Sequence, residues 1–429
     1  MQESQQVLTP LAVLENIVPN LHEAADKQGH TVPGMSPVEQ AALLAGLNNA
    51  MGALRDAAKD GVLYSPQNQI GSLLQSMVAE NPTSVVPLAS GQGLEAKFDT
   101  HDWLGWLTTF WQILKHSKKF DWTAPVATPE TVPQFKNNAR IAVFADWGTG
   151  MYGAPLIKSS IENDVEAVDM IWHLGDTYYS GTDKEIASRF VGMWPNRPGA
   201  LNRALNGNHE MYSGGSPYKN ALKLAPFNQA SSCVAYQNDH WIIVGLDTAY
   251  DDYDLANNQA AWLGNIVSKA QGRKVVLFSH HQPFSLLNTQ GPKIVIKLLN
   301  LLDAGDIFAW YWGHEHECVL YDKHPRWKLH GRCIGHAGMP EFRPEELGPP
   351  VATRQFRRFL GGKISPPQGV PGDWVVPDSW ILDGPNPYIK GEETKFSPHG
   401  YVMLEFDGDH LIETVRDADG TEIRTAELT

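Results

Sequence analysis

The feature that most constrains this chain is a series of short apolar runs that break off at polar, ligand-forming residues. Residues 140–145, 168–174, 241–246, 274–278 and 307–312 are each too short and too rich in β-formers for a core helix, so they are expected to be buried strands. Polar residues follow nearly every one. Asp146-Trp147-Gly148 follows the first, Gly175-Asp176-Thr177-Tyr178-Tyr179 the second, Ser279-His280-His281-Gln282-Pro283 the fourth and Gly313-His314-Glu315-His316 the fifth. The pattern fits an α/β sheet whose strand ends and following loops carry a site, as open sheets tend to do.

The remainder of the chain organises around that core. Residues 1–120 read as a helical region, 121–138 as a linker punctuated by Pro125, Pro129 and Pro133, and 139–429 as the domain that carries the motifs. Within the first region Ser36-Pro37-Val38-Glu39 is a capping box with proline at the first helical position, followed by Leu43, Leu44, Leu47, Met51 and Leu54 at helical spacing. A second amphipathic stripe joins Trp103, Leu107, Phe110, Trp111 and Leu114, aromatics expected to dock the helix rather than bind a ligand. Residues 340–398, rich in Pro and Gly, read as a long irregular insertion that would form a wall of the cleft. Arg354, Arg357 and Arg358 lie in it as a basic cluster, expected to be solvated, with an anion contact as the sharper alternative. Residues 401–406 and 411–416 read as hairpin strands around Asp407-Gly408-Asp409.

Charge and cysteine content narrow the function. With 48 Asp and Glu against 34 Lys and Arg, the formal net charge is −14, which disfavours nucleic acid and anionic membranes as partners; a small phosphorylated substrate would need positive charge supplied locally, as by bound metal. Three cysteines, Cys233, Cys318 and Cys333, are too few for a disulfide framework and are expected to be reduced and buried. The N-terminus lacks a basic region followed by an apolar run, so neither a signal peptide nor a membrane span is expected, and the chain reads as cytoplasmic.

The motifs carry the chemistry. Asp146 ends the first run where a carboxylate can face a cation, although an isolated Asp there is as often a turn former. Asp176 has two oxygens able to bridge two cations, next to a glycine that allows close backbone approach. In Gly207-Asn208-His209-Glu210 a neutral amide oxygen sits beside a histidine, an odd choice for a core and a useful one for a cleft. Of the adjacent His280 and His281, alternation on an extended segment lets only one reach a shared site; His280 is preferred and His281 stays open as the alternative. His314 and His316, two residues apart, fall on one side of extended backbone and form the strongest single metal signal.

In order, these motifs resemble those of the calcineurin-like metallophosphoesterase superfamily. That resemblance implies a four-layer αββα sandwich over 140–336, with the C-terminal strands completing the second sheet. The first motif is Asp-x-Gly where the superfamily usually has Asp-x-His, and the second extends to Gly-Asp-x-x-Tyr, ending at Tyr179; purple acid phosphatases show this paired change. The resemblance implies two metal ions: Fe(III) held by Asp146, Asp176, Tyr179 and His316, and Fe, Zn or Mn held by Asp176, Asn208, His280 and His314. The activity implied is hydrolysis of phosphomonoesters by metal-bound hydroxide, with His209 assisting the leaving group; Glu210 reads either as orienting His209 or, equally, as a surface or capping glutamate. A phosphodiesterase using the same site, and a non-catalytic metal-stabilised interaction protein, are the competing readings. His173 and His330 read as packed residues, His336 as the outside candidate for a substrate contact, and Glu315 has no assigned role.

Overall fold

The computed structural model describes residues 36–57, 68–80, 84–87, 93–96, 125, 127–288, 290–366 and 372–429. Its strands, in chain order, are β1 (Ser84–Pro87), β2 (Gly93–Ala96), β3 (Asn138–Phe144), β4 (Met170–His173), β5 (Leu201–Ala204), β6 (Val234–Gln237), β7 (Trp241–Gly245), β8 (Lys274–Ser279) and β9 (Ile307–Trp312), followed by β10 (Cys318–Tyr321), β11 (His330–Ile334), β12 (Gln355–Phe359), β13 (Gly362–Ile364), β14 (Trp374–Val376), β15 (Ser379–Asp383), β16 (Gly400–Asp407), β17 (His410–Asp417) and β18 (Glu422–Leu428). Each apolar run of the sequence forms a strand within a residue or two of its expected place.

Two sheets carry the fold. One has the order β18-β17-β16-β3-β4-β5, the other β12-β15-β10-β11-β9-β8-β7-β6. Parallel strands β3-β4-β5 form one half of the first sheet, out to its β5 edge, and β7-β8-β9-β11 form the centre of the second; antiparallel strands complete both. Alternation along the strands builds the layers, because successive side chains point to opposite faces. In β3, Ile141 and Val143 enter the core between the sheets with Trp172, Val276, Phe278, Tyr311, Val402 and Leu404. Ala142 and Phe144 point the other way, against Ile157 and Ile161 of the helix Ala154–Glu162. The second sheet does the same: Val275 and Leu277 face Leu263 and Ile266 of the helix Gln259–Ser268 and Ile294 and Leu298 of the helix Pro292–Ala304. The result is the expected sandwich of two sheets flanked by helices.

The structure corrects three sequence expectations. Residues 84–87 and 93–96 are not helical; β1 and β2 pair antiparallel, with Ser84 opposite Ala96, consistent with a β-branched pair, Val85-Val86, stopped by Pro87. The region 340–398 is not an irregular insertion, since β15 pairs with β10 and β12 with β15, so it completes one edge of the larger sheet. Its strands were hidden by the surrounding Pro and Gly, and only long-range pairing makes them regular. Finally, 121–138 is docked rather than free where described: the Pro133 carbonyl accepts from Gln237 and Phe135 N–H donates back to Gln237 on edge strand β6. The stripe from Trp103 to Leu114 lies outside the described residues.

The capping box forms as read, with Ser36 N–H donating to Glu39 (2.7 Å) and Glu39 N–H to the Ser36 hydroxyl (3.3 Å). Leu43, Leu44, Leu47 and Met51 of the helix Pro37–Ala57 are buried. The next helix, Gln69–Glu80, is tied to the domain: Ser76 donates to the buried Glu185 (2.9 Å) and Gln69 to the carbonyl of Tyr212 (3.0 Å). Among the described residues no helix is long and apolar enough to cross a membrane. Cys233, Cys318 and Cys333 are buried and unpaired with one another.

Leu404 is fully buried between the sheets. Leu404→Ala should lower unfolding free energy by about 2–5 kcal/mol, read from urea denaturation; a loss under about 1 kcal/mol would mean the intersheet layer is not the packed core described.

Candidate metal centre

The site lies where the parallel strands of both sheets end. Asp146 follows β3, Asp176 follows β4, Asn208 follows β5, His280 follows β8 and His314 follows β9. To aim their side chains inward the loops leave the extended conformation abruptly, and Asp146, Asp176, His314 and His316 all adopt positive φ, between 55° and 73°. Such backbone costs about 1–3 kcal/mol per residue and persists only where the surroundings enforce it. The motif glycines are required by contact: a Cβ on Gly207 would lie 2.0 Å from Asp176 Oδ1, and one on Gly313 would lie 2.6 Å from Asp146 Oδ2.

Two overlapping groups of donors result. Asp146, Asp176 and His280 present ligand atoms within 4.8 Å of one another, as do His280, His281 and His314. His316 Nε2 stands 3.5 Å from Asp146 Oδ1, and His280 Nε2 3.3 Å from Asp176 Oδ2. Asn208 Oδ1 lies 3.1 Å from His280 Nε2 and 3.0 Å from His314 Nδ1. Each imidazole is oriented through its other nitrogen, the arrangement typical of metal-ligating histidines: His280 Nδ1 by the Leu174 carbonyl (3.0 Å), His316 Nδ1 beside Glu341 (3.4 Å) and His314 Nε2 by the Tyr253 hydroxyl. The carboxylates and imidazoles are almost fully buried, and Asp146 Oδ1 and His209 Nε2 have no hydrogen-bond partner. Burial pushes the Asp146 carboxyl up. At Asp176 burial acts in the same direction, but the His280 and His209 imidazoles outweigh it and hold that carboxyl well below the usual range. Anionic oxygens, imidazole nitrogens and an amide oxygen crowded together in a dry site, several of the polar atoms without hydrogen-bond partners, are a donor set that fits cations.

The tyrosine assignment is corrected. Tyr178, not Tyr179, reaches the donors: its hydroxyl donates to Asp176 Oδ2 (2.9 Å) and contacts His316 Nε2. Tyr179 is turned away with Arg189 over its ring (5.3 Å), and contributes its carbonyl to His209 Nδ1 (2.6 Å). The two rings diverge, but from a turn and not from the extended segment on which alternation was expected. Which one faces the site was decided by Glu185, whose carboxylate accepts from Tyr179 N–H (2.8 Å) and Ser180 N–H (2.9 Å) and so sets the path of the loop.

Of the two readings of Glu210 the structure selects the capping one, its carboxylate accepting from the N-cap backbone of the helix Asn208–Tyr212. Glu210 does not touch the His209 ring; its carboxylate accepts from the backbone N–H groups of Gly207 (2.7 Å), Asp176 (3.1 Å) and Thr177. It therefore staples one ligand loop to the next, and the Tyr179 carbonyl orients His209 instead. His281 shares a donor group with His280 and His314, so both adjacent histidines reach the site, against the expectation from alternation; its nitrogens also lie against Thr248 Oγ1 (3.2 Å) and Asp252 Oδ1 (3.2 Å). His336 is fully buried beside Gly400, in neither donor group, and has no surface from which to touch a substrate. Glu315 accepts from Ser285 (2.6 Å) and Trp312 (3.0 Å), bracing its loop. Arg354 pairs with Asp417, Arg357 with Asp383 and Arg358 with Asp378, so the basic cluster is neutralised by carboxylates.

Sequence reasoning did not find Tyr212, Tyr253 or Glu341. Tyr212 had a signal, since it stands four residues after Asn208 on the helix Asn208–Tyr212 and so shares its face. Tyr253 and Glu341 come from loops whose approach to the site has no local pattern.

A two-sheet sandwich with carboxylates, imidazoles and an amide gathered at the ends of its parallel strands has the build of a metallophosphoesterase. Residues 139–318 match the calcineurin-like phosphoesterase family, so the chain contains a calcineurin-like phosphoesterase domain. None of the curated proteins compared matches it. Among solved structures it is similar to a purple acid phosphatase from yellow lupin (Lupinus luteus) seeds, at 15% identity and a TM-score of 0.48, over 69% of this chain and 54% of the lupin chain. It is also similar to GAP50, the anchor in the inner membrane complex of Plasmodium (14%, TM-score 0.46, 68% of this chain and 89% of that one), and to PhoD (12%, TM-score 0.42, 71% and 70%). The similarity thus spans about half the length of the lupin protein.

His173 sits among Phe144, Trp147, Phe190 and Trp194, and burial holds its imidazole down at about 3. The unfolded chain takes up that proton near the ordinary 6.5. The stability His173 contributes is therefore present above about 6.5 and is lost as pH falls toward 3. His173→Phe should flatten the acid limb of stability against pH in urea titrations; an unchanged slope would show that His173 is not kept neutral.

Proposed function

We propose that the chain hydrolyses phosphomonoesters at a centre of two metal ions. The observation that carries this reading is Asp176, whose Oδ2 lies 3.3 Å from Nε2 of His280, the residue common to both donor groups, with His209 Nε2 3.9 Å from the same oxygen. In this reading Asp146, Asp176, Tyr178 and His316 hold the first ion and Asp176, Asn208, His280 and His314 the second. Two such cations would neutralise the phosphoryl oxygens and lower the pKa of water.

The chain's own residues handle the leaving group. His209 Nδ1–H donates to the Tyr179 carbonyl, which turns Nε2 into the site. Burial lowers the His209 pKa and outweighs the opposing pull of the Asp176 carboxylate. A protonated Nε2 can donate to the oxygen that departs as negative charge builds there. Glu210 keeps the Asp176 and Asn208 loops in register, and the phenolic oxygen of Tyr178 is a hard donor that suits a ferric ion at the first position, with Fe, Zn or Mn at the second.

Matched chromogenic phosphomonoester and phosphodiester substrates, assayed with added Fe, Zn and Mn from acid to alkaline pH, test the substrate class. Monoester turnover should exceed diester turnover by at least about tenfold; the reverse preference would make the protein a phosphodiesterase. His209→Ala should cut kcat by about 10²–10⁴-fold with metal content unchanged. A ferric tyrosinate would colour the iron-loaded protein, and Tyr178→Phe should bleach it while Tyr179→Phe does not. Bleaching by Tyr179→Phe alone would return the ligand to Tyr179.

A further inference from the structure

Two half-buried tyrosines stand behind the ligands of one metal position and not the other. Tyr212 closes the helix Asn208–Tyr212, and its hydroxyl accepts from Asn208 Nδ2 (2.7 Å). Tyr253 lies on the loop between β7 and the helix Gln259–Ser268, with its hydroxyl on His314 Nε2 and its ring 4.1 Å from that of His281. At the other position the corresponding support is anionic: Glu341 stands at His316 Nδ1 (3.4 Å).

Each phenol offers a hydrogen-bond partner to the atom of its ligand that faces away from the other donors. A carboxamide presents an acceptor oxygen or a donor nitrogen according to its rotation by half a turn. With Tyr212 accepting from Nδ2, Asn208 Oδ1 is the atom turned toward His280 and His314. An imidazole carries its proton on one nitrogen, and the partner of that nitrogen decides which. The Tyr253 contact allows either direction; when its oxygen accepts from His314 Nε2–H, Nδ1 keeps its lone pair, and Nδ1 is the atom 3.0 Å from Asn208 Oδ1 and 3.2 Å from His280 Nε2. Both supports are neutral, so they orient the ligands without adding charge to them.

We propose that Tyr212 and Tyr253 are positioning residues that set the orientation of Asn208 and the tautomer of His314, and thereby the affinity of the second metal position alone. The proposal rests on the two-metal reading above. It assigns a function to two tyrosines that do not ligate metal, and it couples occupancy of that position to the loop carrying Tyr253 and to the end of the helix that Gln69 holds by the Tyr212 carbonyl.

Equilibrium dialysis of the full chain against Zn²⁺ with a competing chelator, with metal counted by mass spectrometry, tests it. The parent should hold two ions. Tyr212→Phe and Tyr253→Phe, which keep the rings and remove only the hydroxyls, should each weaken one ion by about 10–100-fold and leave the other unchanged. The melting temperature of the metal-free protein should stay where it was. His280→Ala should lose the same ion, and adding Tyr212→Phe to it should cost nothing further. Parent-like affinity for both ions in both phenylalanine variants would overturn the proposal. So would equal weakening of both ions with a lower metal-free melting temperature, which would make the tyrosines packing residues. A parent that binds fewer than two ions at any Zn²⁺ concentration would overturn the two-metal reading itself, and this proposal with it.

Discussion

Burying carboxylates and imidazoles together at the ends of parallel strands is the constraint on which the rest of this structure depends. Asp146, Asp176, His280, His314 and His316 are almost wholly withdrawn from water, where isolated charges are strongly disfavoured and unpaired polar atoms cost stability. The protein answers with proximity, each group standing within hydrogen-bonding or ion-pairing reach of another, and with a position for cations that would complete the balance. The loops bend through left-handed backbone to achieve this, and the surrounding layers are built to hold them there.

Three carboxylates do much of that holding without facing the site. Glu210 accepts from three backbone N–H groups on two ligand loops. Glu185 gathers the backbone of Tyr179 and Ser180, and also receives Ser76 from the N-terminal helix Gln69–Glu80. Glu315 braces the last loop through Ser285 and Trp312. A buried carboxylate that accepts several N–H groups fixes a loop more firmly than apolar packing can, because its hydrogen bonds are directional and costly to leave unmade. The helix Gln69–Glu80 thereby reaches, through Glu185, the loop that follows Asp176.

The two adjacent tyrosines show how far local pattern reaches. Motif spacing selects Tyr179, and the backbone between Asp176 and Ser180 selects Tyr178. The deciding contact comes from Glu185, which is beyond the motif. The same limit explains Glu210, whose place beside His209 in sequence suggested a partnership that the turn of the helix does not make: the carboxylate points back to its own N-terminus, where backbone N–H groups await an acceptor. His281 and His336 were ambiguous for a related reason, since a histidine's neighbours in space decide whether it is a ligand, a packed ring or a partner for Thr248 and Asp252.

Strand ends, the glycines that permit close approach and the donor types at those ends were all legible in the sequence, because each is a local property: period, composition and the absence of a Cβ. So were the capping box and the layered α/β architecture that the alternating strands require. The edge strands within 340–398, the choice between Tyr178 and Tyr179, the redirection of Glu210, the neutralised arginines and the arrival of Tyr253 and Glu341 beside the ligands were settled only in the tertiary structure. Each of those depends on a partner far away in the chain, and no spacing rule encodes which distant carboxylate, phenol or strand edge will be waiting when the loop arrives.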